Sequence, residues 1–287
     1  LLRTVEATRA RAGSLLELNL QWMCLGQRGG VSLASSLRAC TKMTSLDVTG
    51  NNMKSVGCSA LFQSILPSFG RNLQLLKMGH NMMGDSAAHA MCRLLESAAS
   101  LETLYLDHNL LTTDSLSLIF STSVGLGLCP SLVDIDVSYN QMDSTLCVLR
   151  GYLTARRAER RAESIAAVGA VGISLERLSL RGNLLTESSA KMLSDILQLT
   201  YSDDEEKQEE EQRRKRRREV HCGKRSGPLQ SPRRRMSSGG IPSASLTSLD
   251  LSANVLGAEG GAHLGQGLRC SMYLKVLLLC GCALGSV

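Results

Sequence analysis

The sequence predicts an α/β solenoid: one right-handed horseshoe of strand–turn–helix units, with eight parallel strands on its concave side and some seven helices on its convex side. Three observations predict it. The pattern Leu-x-x-Leu-x-Leu-x-x-Asn-x-Leu occurs eight times, starting at residues 15, 43, 73, 101, 132, 175, 246 and 274. Five of the seven spacings lie between 28 and 31 residues. Between copies, apolar residues recur three and four positions apart, the period of a helix with one buried face.

The copies run in order along the chain. The first is Leu15, Leu18, Leu20, Met23 in the Asn place, and Leu25. Then come Met43, Leu46, Val48, Asn51, Met53, and Leu73, Leu76, Met78, Asn81, Met83. The fourth and fifth are Leu101, Leu104, Leu106, Asn109, Leu111, and Leu132, Ile135, Val137, Asn140, Met142. The last three are Leu175, Leu178, Leu180, Asn183, Leu185; Leu246, Leu249, Leu251, Asn254, Leu256; and Leu274, Leu277, Leu279, Cys282, Leu284.

The Leu-x-Leu alternation is a short strand with one face inward. A single strand cannot bury that face, so neighbours stack into a parallel sheet. The Asn turns the chain out of the strand, and its amide can satisfy backbone groups of the adjacent turn. Cys282 falls in the same column, which gives it a structural role. Met23 breaks the column, so a distorted first turn is expected. Ala87, Ala90, Met91, Leu94 and Leu95 illustrate the helical half, as do Leu61 and Ile65, Leu33 and Leu37, and Leu264 and Leu268. Ser86, Ser115 and Ser188 stand at expected helix starts, where a hydroxyl can cap. A helix in every unit makes the outer layer wider than the strand layer, so the stack curves.

Composition agrees. Aromatic residues are 3% of the chain, so the core is built from Leu, Met, Ala, Ile and Val. The ten cysteines contain no Cys-x-x-Cys pair, and a chain of 287 residues needs no disulfide stapling. Reduced, buried thiols are expected, and with them a cytoplasmic setting, with the nucleus as a second compartment. No uncharged apolar run reaches the 18 or so residues that span a bilayer.

The motif resembles the leucine-rich repeat proteins of the ribonuclease-inhibitor-like subclass, whose repeats have 28–29 residues and a convex helix. The resemblance covers residues 1–202 and 246–287 apart from insertions, and it speaks to fold far more than to function. It implies an inhibitor, a sensor arm, an actin-regulator scaffold or a GTPase activator. The last relies on a specifically placed Arg, and no Arg here stands in a context that carries that role.

Three segments depart from the repeat. Residues 1–14 read as the rear of a helix from a preceding unit, and the eighth unit stops before its helix; neither end resembles a polar cap, so a longer parent chain is expected. An insertion near 150–172 includes the basic stretch Tyr152–Arg161, read as a solvated outer helix. A second insertion, 203–245, is expected to be disordered. It carries seven carboxylates between Asp203 and Glu211, then Arg213, Arg214, Lys215, Arg216, Arg217 and Arg218. Between 203 and 240 there are twelve Lys or Arg and eight Asp or Glu, a net +4 of the chain's +6. The basic run has three readings: a nuclear-import signal, a nonspecific grip on nucleic acid or anionic lipid, and a linker balanced by the neighbouring acids. The last is favoured. No aromatic residues flank the run to stack on bases, so nucleic acid is not the expected partner. Ser231 and Ser237 sit in short phosphorylation-like patterns.

Binding is expected on the concave face. The column just before the Asn holds Trp22, Gly50, His80, His108, Tyr139, Gly182, Ala253 and Gly281. Trp22, His80, Tyr105, His108 and Tyr139 are candidate anchors for a protein partner. Asp47, Asp107, Asp134 and Asp136 lean the middle strands acidic, which favours a basic partner. His80 and His108 are one strand spacing apart, roughly 5 Å. With Asp107 they have the chemistry to hold a metal or move a proton. Yet they are not a helix-spaced pair, no further ligand is evident, and an open sheet is wet. No metal, cofactor or catalytic residue is therefore expected. The function read from the sequence is a protein-interaction scaffold. Its alternatives are a regulatory repeat domain of a larger protein, or a carrier of the basic insertion.

Overall fold

The computed structural model describes residues 14–125, 128–143, 175–195, 197, 246–269, 271 and 274–284. Residues 1–13, both insertions with the Arg213–Arg218 run, Ser231 and Ser237 lie outside the described residues.

Eight three-residue strands form one parallel sheet in sequential order: β1 (Glu17–Asn19), β2 (Ser45–Asp47), β3 (Leu75–Lys77), β4 (Thr103–Tyr105), β5 (Asp134–Asp136), β6 (Arg177–Ser179), β7 (Ser248–Asp250) and β8 (Val276–Leu278). The register is uniform. Leu18, Leu46, Leu76, Leu104, Ile135, Leu178, Leu249 and Leu277 pair in one row, and their side chains face the core. Residues one step either side face the concave surface, as the two-residue period of a strand requires.

The outer layer holds α1 (Gly26–Leu37), α2 (Lys54–Ser68), α3 (Ala88–Leu95), α4 (Thr113–Phe120), α5 (187–195) and α6 (Gly257–Leu268). Leu33, Leu37, Leu61, Ile65, Met91, Leu94, Leu95 and Leu264 are buried against the strand layer, as their spacing predicts. Leu268 is only half-buried. Phe62, Phe69 and Phe120, the chain's three Phe, are all fully buried behind the sheet.

The Asn column is a continuous hydrogen-bond ladder. Asn109 Nδ2 donates to the carbonyls of Leu106 and Asp107 in its own turn and of Met78 in the turn before, at 2.9–3.1 Å. Its Oδ1 accepts from Asn81 and Met83 N–H. Asn51, Asn81, Asn140, Asn183 and Asn254 repeat this pattern of donation. Cys282 holds the column as expected: its thiol reaches Leu251 O at 3.1 Å and is buried.

Two expectations are corrected. The first turn is not distorted by Met23. Trp22 and Cys24 take the same left-handed backbone as His80 and Met82, because Asn51 Oδ1 of the next repeat receives Met23 and Leu25 N–H. Nor do Ser86 and Ser115 cap their helices. Ser86 lies within a 3-10 turn (Asp85–Ala87), Ser115 lies inside α4, and the N-caps of α1, α2, α3, α4 and α6 have no side-chain cap bond. The bonding crosses between repeats instead: Thr112 donates N–H and hydroxyl to the Asp85 carboxylate at 2.9 and 2.8 Å.

The sheet is continuous where the chain is interrupted by insertions. Ile135 pairs with Leu178, and Leu178 with Leu249. Behind them α6 lies so close to α5 that a Cβ on Gly267 would stand 2.7 Å from Ser194 Cα. The strand register is therefore the same on both sides of each insertion.

Candidate functional site on the concave face

The column before the Asn is left-handed in every repeat: φ is 56° at Trp22, 75° at Gly50, 53° at His80, 51° at His108, 52° at Tyr139, 61° at Gly182, 57° at Ala253 and 69° at Gly281. Glycine takes this region freely, and His is among the residues that visit it more readily than most. The backbone continues the ladder through it, with His80 N–H on Asp107 O and His108 N–H on Ser138 O. One turn type, repeated, stacks these side chains along one rim of the concave sheet.

The side chains form a π column. Trp22 and His80 ring centroids are 5.1 Å apart and tilted by 48°. His80 and His108 stack at 3.8 Å and 15°, and His108 and Tyr139 at 4.2 Å and 26°. Glycines at the column positions next to Trp22 and Tyr139 make room for these rings. A Cβ on Gly50 would sit 2.3 Å from the Trp22 ring, and one on Gly182 would sit 2.4 Å from the Tyr139 ring. Trp22 thus leans across a vacant position toward His80, while Tyr139 covers the vacancy on the other side. At that end Arg181 Nε donates to Tyr139 Oη at 2.8 Å. Trp22 remains 61% exposed and Tyr139 37%.

Asp107 lies against this column. Its Oδ2 is 3.1 Å from His108 Nδ1 and 3.8 Å from His80 Nε2. It reaches back across the repeat because position 79 is glycine, where a Cβ would stand 2.5 Å from Asp107 Oδ1. Burial lowers the His80 pKa and the neighbouring His108 lowers it further, against the pull of Asp107.

Below the column, Tyr105 donates to Asp134 Oδ2 at 3.0 Å, and Arg177 Nε binds the same oxygen at 2.9 Å. Burial and the bond to Asp134 push the Tyr105 hydroxyl up to about 12. Lys77 Nζ lies 5.1 Å from the Tyr105 ring centre. Asp136 is raised above its ordinary value by burial, opposed by its bonds from Ser138, with Asp107 and Asp134 adding to the rise.

The acidic set is divided by this geometry. Asp47 is 5% exposed and does not offer a free concave carboxylate as expected; it accepts from Thr49 N–H and from the Gln21 amide. Asp136 and Asp250 accept from Ser138 and Ser252 N–H in the same way, as does Asn19 from Gln21 N–H. These side chains close the strand end. The sequence carries a signal for it that was missed: an Asx residue two positions before the turn, with Thr or Ser following at Asp47, Asp136 and Asp250. Trp22, His80, Asp107, His108 and Tyr139 are brought into one column, with Tyr105 and Asp134 adjoining below.

Comparison with known proteins bears on the repeats. A family model described as Leucine Rich repeat matches residues 39–62 and 243–265, which span the starts of the second and seventh units. No curated protein matches the chain. Among solved structures it is similar to the tropomodulin C-terminal domain of Caenorhabditis elegans, at 16% identity over 71% of this chain and 97% of that one, with a TM-score of 0.37. It is also similar to the leucine-rich repeat domain of APL1B, at 14% identity, over 97% of this chain and 67% of that one, with a TM-score of 0.36. A chain of the mouse RP105/MD-1 complex is similar at 13% identity, over 96% of this chain and 39% of that one, with a TM-score of 0.40. The eightfold motif, the unbroken parallel register, the Asn ladder and the two matched segments together make this a leucine-rich repeat fold.

Proposed function

We propose that the chain is a protein-interaction scaffold that holds its partner on the concave face, centred on β3 to β5. The observation that carries this reading is the exposed column Trp22–His80–His108–Tyr139 beside Tyr105. The only Trp of the chain stands 61% exposed at its end. Large aromatic side chains on a rigid support lose little entropy when covered and serve as anchors. Asp107 and Asp134 beside them favour a partner segment that carries Lys or Arg. The repeat length and the convex helices support the ribonuclease-inhibitor-like subclass.

The test replaces Tyr105, Asp107, His108 and Tyr139 with Ala, singly and together, and measures capture of protein partners from lysate. Binding is expected to fall stepwise and to vanish in the quadruple variant, with circular dichroism unchanged. Undiminished capture would move the site to the helices or the insertions.

The cytoplasm is the compartment this reading favours. Seven described cysteines are free thiols, five of them buried. Entry to the nucleus through Arg213–Arg218 is a second proposal, favoured by six consecutive cationic side chains that no packing requires. Deleting residues 213–218 tests it by the distribution of a tagged chain between nucleus and cytoplasm. An unchanged distribution contradicts it.

A further inference from the structure

We infer that His80, Asp107 and His108 form a site for a borderline divalent transition ion of the Zn2+ class. Spacing alone argues against a metal, because the two histidines are not helix-spaced and no ligand beyond Asp107 is evident. The fold supplies what spacing along one chain segment cannot. It repeats one left-handed turn in neighbouring units, so the imidazoles of two repeats face each other across 3.8 Å. Gly79 then leaves room for the Asp107 carboxylate to lean back between them. One ligand atom from each of the three residues lies within 4.8 Å of the others.

The donor set suits such an ion. Two imidazole nitrogens and a carboxylate oxygen are ligands that Zn2+ accepts, and three protein donors leave a fourth position open toward the concave solvent. With bonds of roughly 2.0–2.1 Å, donors on a tetrahedral ion stand about 3.3 Å apart. The His108–Asp107 contact of 3.1 Å and the His80–Asp107 contact of 3.8 Å lie on either side of that value. All three side chains are reachable, with His80 37%, His108 39% and Asp107 22% exposed.

One adjustment is required, and it provides the readout. Imidazole lone pairs lie in the ring plane, so two rings stacked at 15° must open before both can meet one ion. The column is loose on the Trp22 side, where the His80 contact is 5.1 Å and tilted, and tight on the Tyr139 side at 4.2 Å. His80 therefore turns toward Trp22 when the ion binds. Trp22 is the single Trp of the chain, so its fluorescence reports this site alone.

The experiment titrates Zn2+, and separately Co2+, into the purified full chain without any partner. Calorimetry and Trp emission are followed together, in a Cys24→Ser background because Cys24 is exposed beside Trp22. Expected are one ion per chain, a saturable change in Trp22 emission on the same curve, and a Co2+ spectrum without a thiolate charge-transfer band. His80→Ala, His108→Ala and Asp107→Asn should each weaken binding at least roughly tenfold, and so should Gly79→Ala, which displaces the carboxylate. Circular dichroism and thermal melting confirm that each variant is folded. Absence of saturable Zn2+ binding overturns the inference. Equal affinity in the folded His80→Ala/His108→Ala chain, or a Co2+–thiolate band that survives in it, also overturns it. The measurement needs no partner, so the scaffold reading stands or falls separately.

Discussion

Two single residues decide the shape of the exposed column, and neither is part of a chemical motif. Gly50 and Gly182 are left-handed gaps over which the Trp22 and Tyr139 rings lie. A methyl at position 50 meets both obstacles at once: a backbone at φ 75° and a ring 2.3 Å from the new atom. Gly50→Ala is expected to eject the Trp22 ring, red-shift its emission toward that of free Trp, and cost about 1–2 kcal/mol in chemical denaturation. Unchanged emission would mean that Trp22 does not lie over Gly50.

Thiol reactivity is also decided at the level of single residues. Burial pushes Cys58 and Cys129 up to about 12, so neither supplies thiolate near neutral pH. Cys24 and Cys280 are exposed. Alkylation of the native chain followed by peptide mass spectrometry is expected to label Cys24 and Cys280, and to label Cys58 and Cys129 only after denaturation. Prompt native labelling of Cys58 would contradict the burial.

At the scale of the elements, the turns tie one repeat to the next. Asn109 satisfies buried groups in its own turn and in the turn before it. Asn109→Ala leaves several of them without partners and is expected to cost about 3 kcal/mol, measured by urea unfolding. Between helices, Asp85 plays the matching part. Burial pushes its carboxyl up, but bonds from Thr112 N–H, the Ser115 hydroxyl and the Thr112 hydroxyl outweigh it and leave the carboxyl below its ordinary value. A carboxyl held low in the folded state adds stability that is complete above the unfolded-state value. That stability is lost as pH falls through the lower folded value. The melting difference between wild type and Asp85→Asn should therefore be full near neutrality and close in acid below the normal carboxylate range. A difference that widens in acid would contradict this.

The strands and their buried row were legible because a two-residue period with Leu on one side has one solution in a stack. The outer helices were legible for the same reason, in their own period. The caps were not, because Ser86 and Ser115 look like N-caps until the neighbouring repeat is present to bond Asp85 with Thr112. Asp47 and Asp136 looked like free surface acids because a hydrogen bond to one's own chain two residues later leaves no trace in hydropathy. The columns themselves were readable, since aligning eight copies places Trp22, His80, His108 and Tyr139 together. Their stacking was not, because it depends on which neighbour is glycine.

At the scale of the whole molecule, the strands pair across both interruptions. β5, β6 and β7 keep the register of the uninterrupted repeats. Replacing residues 203–240 with a short Gly–Ser linker is expected to leave the melting temperature within a few degrees and the unfolding cooperative. A large fall would show that the inserted segment contributes to packing.

The scaffold proposal turns on the partner sitting on the strand side of the curve and not on the helix side. It is tested most directly by placing a photoreactive phenylalanine analogue at Tyr139, on the concave rim, or at Gln63, on the exposed face of α2. Each chain is irradiated in lysate, and covalent adducts are read by mass spectrometry. A discrete adduct is expected from position 139, rich in peptides bearing Lys or Arg, and none from position 63. The same adduct from position 63, with none from 139, would contradict it.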